Sequence, residues 1–153
     1  MRDIIFTGIF FDFTDEERAD LIKLAEAEGM PNVFLHHVTL WFRPHPESEH
    51  VRNVLKHEGR LIDVRVTGIG VGEGVRAFQV EPDPIRMSEF RVEFGTGGLC
   101  SVKVPHLTVA TAEGVKPFAS NQATFTPWPP LPPESPTWAR RLRGRLGVFR
   151  GGQ

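Results

Sequence analysis

One pattern occurs twice in this chain and limits the folds open to it. His37-Val38-Thr39-Leu40 lies within the apolar run from Phe34 to Phe42, and His106-Leu107-Thr108-Val109 within the run from Val102 to Ala110. Both runs favour extended backbone. Side chains alternate between the two faces of a strand, so His37 points the same way as Thr39, and His106 the same way as Thr108. Val38, Leu40, Leu107 and Val109 take the opposite faces and are predicted core residues. Each strand thus buries one face and presents an imidazole and a hydroxyl on the other. With six His and ten Thr in the chain, about 0.4 His-x-Thr pairs are expected by chance. A lone strand histidine is commonly a hydrogen-bonded structural residue, whereas two copies in matched settings point to shared chemistry.

Composition sets the outer limits. At 153 residues, 40% hydrophobic and 24% charged, the chain reads as one globular domain over 1–153 with a real core. The formal net charge of −1 supplies no bulk positive field, so a nucleic-acid ligand has to be small or locally gripped. The one cysteine, Cys100, makes neither an internal disulfide nor a Cys-rich zinc site, and it reads as packing; a reducing, cytoplasmic location fits. Met1-Arg2-Asp3-Ile4 does not read as a signal peptide, and no apolar run reaches the roughly 18 residues of a membrane span.

In chain order, Ile4 to Phe11 reads as a strand. Thr14 and Glu17 have capping-box spacing and open a helix with Leu21, Ile22, Leu24 and Ala25 as its apolar stripe, stopped by Gly29 and Pro31. Val33 to Phe42 is the first motif strand, closed by Pro44 and Pro46. Glu47 to Glu58 reads as a helix with Val51, Val54 and Leu55 inward. Leu61 to Val71 and Val75 to Glu81 are strands joined through Gly70, Gly72 and Gly74. A short helix is predicted around Ile85–Phe90, and a turn at Gly95, Gly97 and Gly98. Ser101 to Thr111 is the second motif strand and Glu113 to Asn121 a loop. Residues 127–136 hold six of the thirteen prolines, which predicts an ordered arm or lid over 127–138. Leu142 to Phe149 alternates as a last strand among several arginines. The two motifs stand 69 positions apart, each on a strand with a connection before it, which suggests two βαβ-like halves meeting across a cleft.

His37-Val38-Thr39-Leu40 and His106-Leu107-Thr108-Val109 resemble the paired His-x-Thr-hydrophobic motifs of the 2H phosphoesterase superfamily. That superfamily includes RNA 2′,3′-cyclic phosphodiesterases, LigT-like enzymes, and phage enzymes that destroy the cyclic nucleotide signals of bacterial defence. Trp41-Phe42 and the downstream Gly114-Val115-Lys116-Pro117 loop are similar as well. The resemblance implies an α+β fold of two pseudo-symmetric βαβ-like lobes, mostly antiparallel, around a central cleft. It implies a metal-independent phosphodiesterase, with no cofactor, acting on a cyclic phosphodiester of a nucleotide or RNA. The chain departs from several members in having no Tyr to place near the cleft.

The chemistry suits these residue types. Opening a cyclic phosphodiester needs an activated water and a protonated leaving oxygen, and two imidazoles flanking the phosphorus do both. Thr39 and Thr108 are the candidate donors to the phosphoryl oxygens. No metal-ligand pattern accompanies them, because His36 and His37 face opposite ways in a strand. Trp41, sharing the alternation face of His37 and Thr39, is a candidate for base stacking or for plain strand-end packing. Lys116 and Asn121, with Ser120 between them, are candidate substrate contacts or ordinary loop chemistry. His36 reads as structural or partly exposed. His45, His50 and His57 read as solvated. Trp128, Glu134 and Trp138 are candidate lid residues. The alternative to an enzyme is a non-catalytic nucleotide- or RNA-binding module on the same fold. The substrate stays open between RNA 2′,3′-cyclic ends and cyclic oligonucleotide signals.

Overall fold

The computed structural model describes residues 3–95, 104–128 and 141–151. Its first helix, α1 (Asp15–Leu24), starts as the sequence dictates. The Thr14 side chain accepts from the Glu17 backbone N–H while the Glu17 side chain accepts from the Thr14 N–H, and Asp15, Glu16 and Glu17 fill the first turn. Helix α2 (Glu49–Lys56) is capped by Ser48. Helix α3 (Pro84–Phe90) is capped by Asp83, with Pro84 in the first turn where its missing N–H costs nothing.

Among the described residues eight strands form one antiparallel sheet: β1 (Ile4–Phe10), β2 (Asn32–Val33), β3 (His37–Phe42), β4 (Leu61–Gly72), β5 (Val75–Pro82), β6 (His106–Thr111), β7 (Thr124–Pro127) and β8 (Leu142–Arg150). The pairings run from β3 to β1, β8, β4, β5 and β6, and β6 pairs back to β3. The sheet therefore closes on itself, which removes most of its exposed edges. β2 extends one edge of β6, and β7 lies on β4 beyond the end of β8. One face of these strands forms the core, with Ile9, Val38, Leu40, Ile62, Val64, Phe78, Leu107, Val109, Leu142 and Leu146 buried together under Leu21, Val54, Met87 and Phe90 from the helices.

Three local departures from the sequence reading have physical causes. The strand expected over Val33 to Phe42 is interrupted at residues 34–36, where Leu35 takes a left-handed φ of 56° and is buried. Helix α2 buries His50, Val51 and Val54 while Leu55 is 39% exposed, so its inward stripe sits one residue earlier than the apolar pattern suggests. The loop expected over Glu113 to Asn121 contains a 3-10 helix, Pro117–Gln122, and leads into strand β7, which the proline content disguised. Of the Pro-rich arm, Trp128 packs on the core, edge-on to Phe78 at 6.3 Å, and its backbone N–H donates to the Thr67 carbonyl. The arm from 129 onward, Glu134, Trp138, Cys100 and the glycines at 97 and 98 lie outside the described residues.

Candidate functional site

The two motif strands are neighbours. β3 and β6 pair antiparallel with Val38 opposite Leu107, both fully buried in the core. That register sets His37 across from Thr108 and Thr39 across from His106, all four on the face away from the core. His37 and His106 are then diagonal neighbours, with Cα atoms about 7–8 Å apart in such a ladder. The four motif side chains are partly buried, and this is the arrangement the repeated pattern predicts.

His37 sits among rings. Its imidazole stacks on Phe6 at 4.4 Å between centroids and lies 5.7 Å from Phe10, and Phe6 stacks in turn on the half-exposed Phe149 at 5.2 Å. The backbone beneath is close-packed: a Cβ on Gly8 would come within 2.6 Å of the Val38 carbonyl oxygen. Burial pulls the His37 pKa down to about 4, with further repulsion from His36 and His106. The exposed His36 is itself lowered, by burial and by Arg18.

His106 is held by hydrogen bonds. Its Nδ1 lies 2.7 Å from the Val104 carbonyl oxygen, which can only accept, so Nδ1 carries a hydrogen. Its Nε2 lies 3.0 Å from Ser120 Oγ, and Ser120 Oγ lies 2.8 Å from Thr108 Oγ1. Phe125 from β7 covers the ring at 5.5 Å. Phe125 has room because Gly70 lies under it; a Cβ there would stand 2.4 Å from the ring. Burial lowers the His106 pKa and the bond to Val104 opposes that.

Both imidazoles are therefore driven toward the neutral form. A phosphodiester anion between them would favour the charged forms again, since an opposite charge within about 4–6 Å raises a histidine pKa. This face can thus offer one proton donor and one acceptor to a seated anion once His106 Nε2 exchanges its Ser120 bond for the anion, with Thr39 and Thr108 beside them.

Two residues join the site that the sequence reading missed or discounted. Ser120 closes the His106 network, although nothing local marks it; the 3-10 turn after Lys116 and Pro117 brings it back to the motif strand. Gln79 of β5 pairs across from His106, and among the described residues its buried Oε1 has no partner. Lys116 precedes the same turn, Asn121 lies within it, and both are exposed.

Trp41 is a correction. The register against β1 shifts between Thr7 and Gly8, which leaves Leu40 as an extra residue on β3. This β-bulge reverses the alternation beyond Thr39. Trp41 pairs with Thr7 on the core side, stacks on His50 at 4.7 Å, and donates from Nε1 to the Glu93 carbonyl at 2.9 Å. It does not share the face of His37 and Thr39. His50 is the second correction: rather than solvated, it is 8% exposed and its Nε2 lies 2.7 Å from Thr7 Oγ1. Burial takes its pKa down to about 4. His45 is exposed, and His57 stacks on Phe90 at 4.5 Å.

Among the described residues no three His, Cys, Asp or Glu side chains stand together as metal ligands, and no helix is long and apolar enough to cross a membrane. A scan of protein-family models finds no match to this chain, and a comparison with the curated proteins finds none either.

Proposed function

We propose that this chain is a 2H-type phosphodiesterase that hydrolyses a cyclic phosphodiester of a nucleotide or RNA, with His37 and His106 as the acid–base pair. The observation that carries this reading is the pairing of Val38 with Leu107, which aligns both His-x-Thr motifs on one face of adjacent strands. Thr39 then donates to the phosphoryl oxygens, where charge develops, and Thr108 joins it by turning its hydroxyl hydrogen from Ser120 to the phosphate. The strand order adds support. About the β3–β6 seam it runs β8-β1-β3 and then β6-β5-β4, so that β1-α1-β3 corresponds to β5-α3-β6. Two such lobes around a groove fit the resemblance carried by the motifs. The rows of rings beside His37 and over His106 offer apolar walls that suit a nucleoside more than a bare phosphate.

The test is a substrate panel of RNA 2′,3′-cyclic phosphates and cyclic di- and trinucleotides, incubated in excess EDTA and read by chromatography. Turnover of one class, abolished in both His37→Ala and His106→Ala, is the expected result. Full activity in either variant ends the assignment. One observation favours the rival binding module: both ring nitrogens of His106 are bonded within the protein. Binding without turnover across the same panel would decide for it.

A further inference from the structure

Two elements converge on a single hydroxyl. Ser120 is 1% exposed, and its Oγ lies 2.8 Å from the Pro117 carbonyl oxygen, 3.0 Å from His106 Nε2 and 2.8 Å from Thr108 Oγ1. A serine hydroxyl has one hydrogen and two lone pairs, and a carbonyl only accepts. With Nδ1–H committed to Val104, one arrangement for each charge state gives Nε2 a partner in Ser120. When His106 is neutral, Nε2 is bare and takes the Ser120 hydrogen, and the Pro117 carbonyl goes without. When His106 is charged, Nε2–H donates to Ser120 Oγ and the serine hydrogen turns to Pro117. Thr108 donates to Ser120 in both.

We propose that Ser120 is the positioning residue of His106: its one hydroxyl hydrogen swings between Nε2 and the Pro117 carbonyl, so the same atom anchors the imidazole whether it is neutral or charged. The significance for catalysis rests on the phosphodiesterase reading, while the proton geometry does not. The charged state uses one more hydrogen bond than the neutral state, and that bond is charge-assisted. Ser120 therefore favours the charged ring and works against burial. Few other groups compete for this role. β3 presents His37, β5 presents Gln79 and, further along, Arg76, which bonds the Gly72 and Val75 carbonyls. β7 presents the Phe125 ring, and the exposed Lys116 precedes the 3-10 helix.

The test is an imidazole ¹⁵N NMR titration of the full chain. In the wild type the neutral His106 is expected as the Nδ1–H tautomer. Ser120→Ala is expected to lower the His106 pKa by about half a unit to one unit, the difference between losing a charge-assisted and a neutral hydrogen bond. In the turnover assay, the limb of the kcat/KM profile governed by His106 should move with it. An Nε2–H tautomer in the wild type overturns the proposal, as does an unmoved titration in a Ser120→Ala protein with the wild-type circular dichroism spectrum. The wild-type tautomer keeps the test decisive even if the variant fails to fold. If no cyclic phosphodiester is turned over, the functional reading falls and the titration still judges Ser120.

Discussion

Acid should weaken this fold through His50 in a way that can be isolated. His50 is wedged between Trp41 and Thr7, with its Nδ1 unpartnered among the described residues. Its folded pKa is about 4 against an ordinary 6.5. Below 6.5 the unfolded chain binds a proton that the folded chain excludes, so stability is lost as pH falls, and the loss continues until the folded histidine titrates near 4. Between pH 7.5 and 4.5 this amounts to about 2–3 kcal/mol from His50 alone. His50→Gln removes the titration and keeps a polar group near Thr7. Its lost stacking should lower stability by roughly 1–3 kcal/mol at every pH, so the informative quantity is the slope. Urea unfolding followed by far-ultraviolet circular dichroism across this range should give a variant curve about 2–3 kcal/mol flatter than the wild type. His37, lowered to the same value, contributes equally to both proteins and cancels. Parallel curves would show that folded His50 titrates normally and would refute the argument from burial.

The remaining expectations concern the groove. His37→Ala and His106→Ala should each reduce turnover by about a hundredfold to ten-thousandfold, the usual contribution of a general acid or base, measured as kcat on whichever panel substrate is active. Thr39→Val should cost about a hundredfold in kcat if its hydroxyl meets the transition-state charge, and equal loss in KM alone would assign it to binding instead. Gly8→Ala should destabilise by roughly 1–3 kcal/mol, because the new methyl meets the Val38 backbone at 2.6 Å and has nowhere to go; an unchanged melting temperature would contradict that packing.

Much of this arrangement was legible because it is local or periodic. The capping box at Thr14 and Glu17 and the alternating faces of the two motif strands follow from spacing within a few residues. The same alternation that placed His37 and Thr39 correctly failed two positions later at Trp41, since a β-bulge is set by the partner strand β1 and leaves no mark on β3. His50 was misread for a similar reason. Its polarity suggests water, yet the nearby Thr7, supplied by a strand 43 positions away, makes burial tolerable. Ser120 reads in the sequence only as a loop contact beside Lys116 and Asn121, and its bond to His106 exists only because the 3-10 turn folds back on β6. Strand β7 was hidden by prolines that in fact begin at its end, where Pro127 needs no ladder donor on an outer strand.

The closure of the sheet bears on how the chain is made. β8 joins β1, through pairs from Ile4 to Phe10, to the start of β4, through pairs from Leu61 to Val64. A polypeptide emerging from a ribosome holds both histidine strands well before it holds this fastener. The groove is thus assembled from parts that wait, with the Ile9 and Ile62 surfaces lacking their last partner, until residues 142–150 arrive. Trimming β8 should therefore uncover the core beneath Leu142 and Leu146 and unfasten β1 from β4, so a strand that carries no histidine holds together the two sides that do.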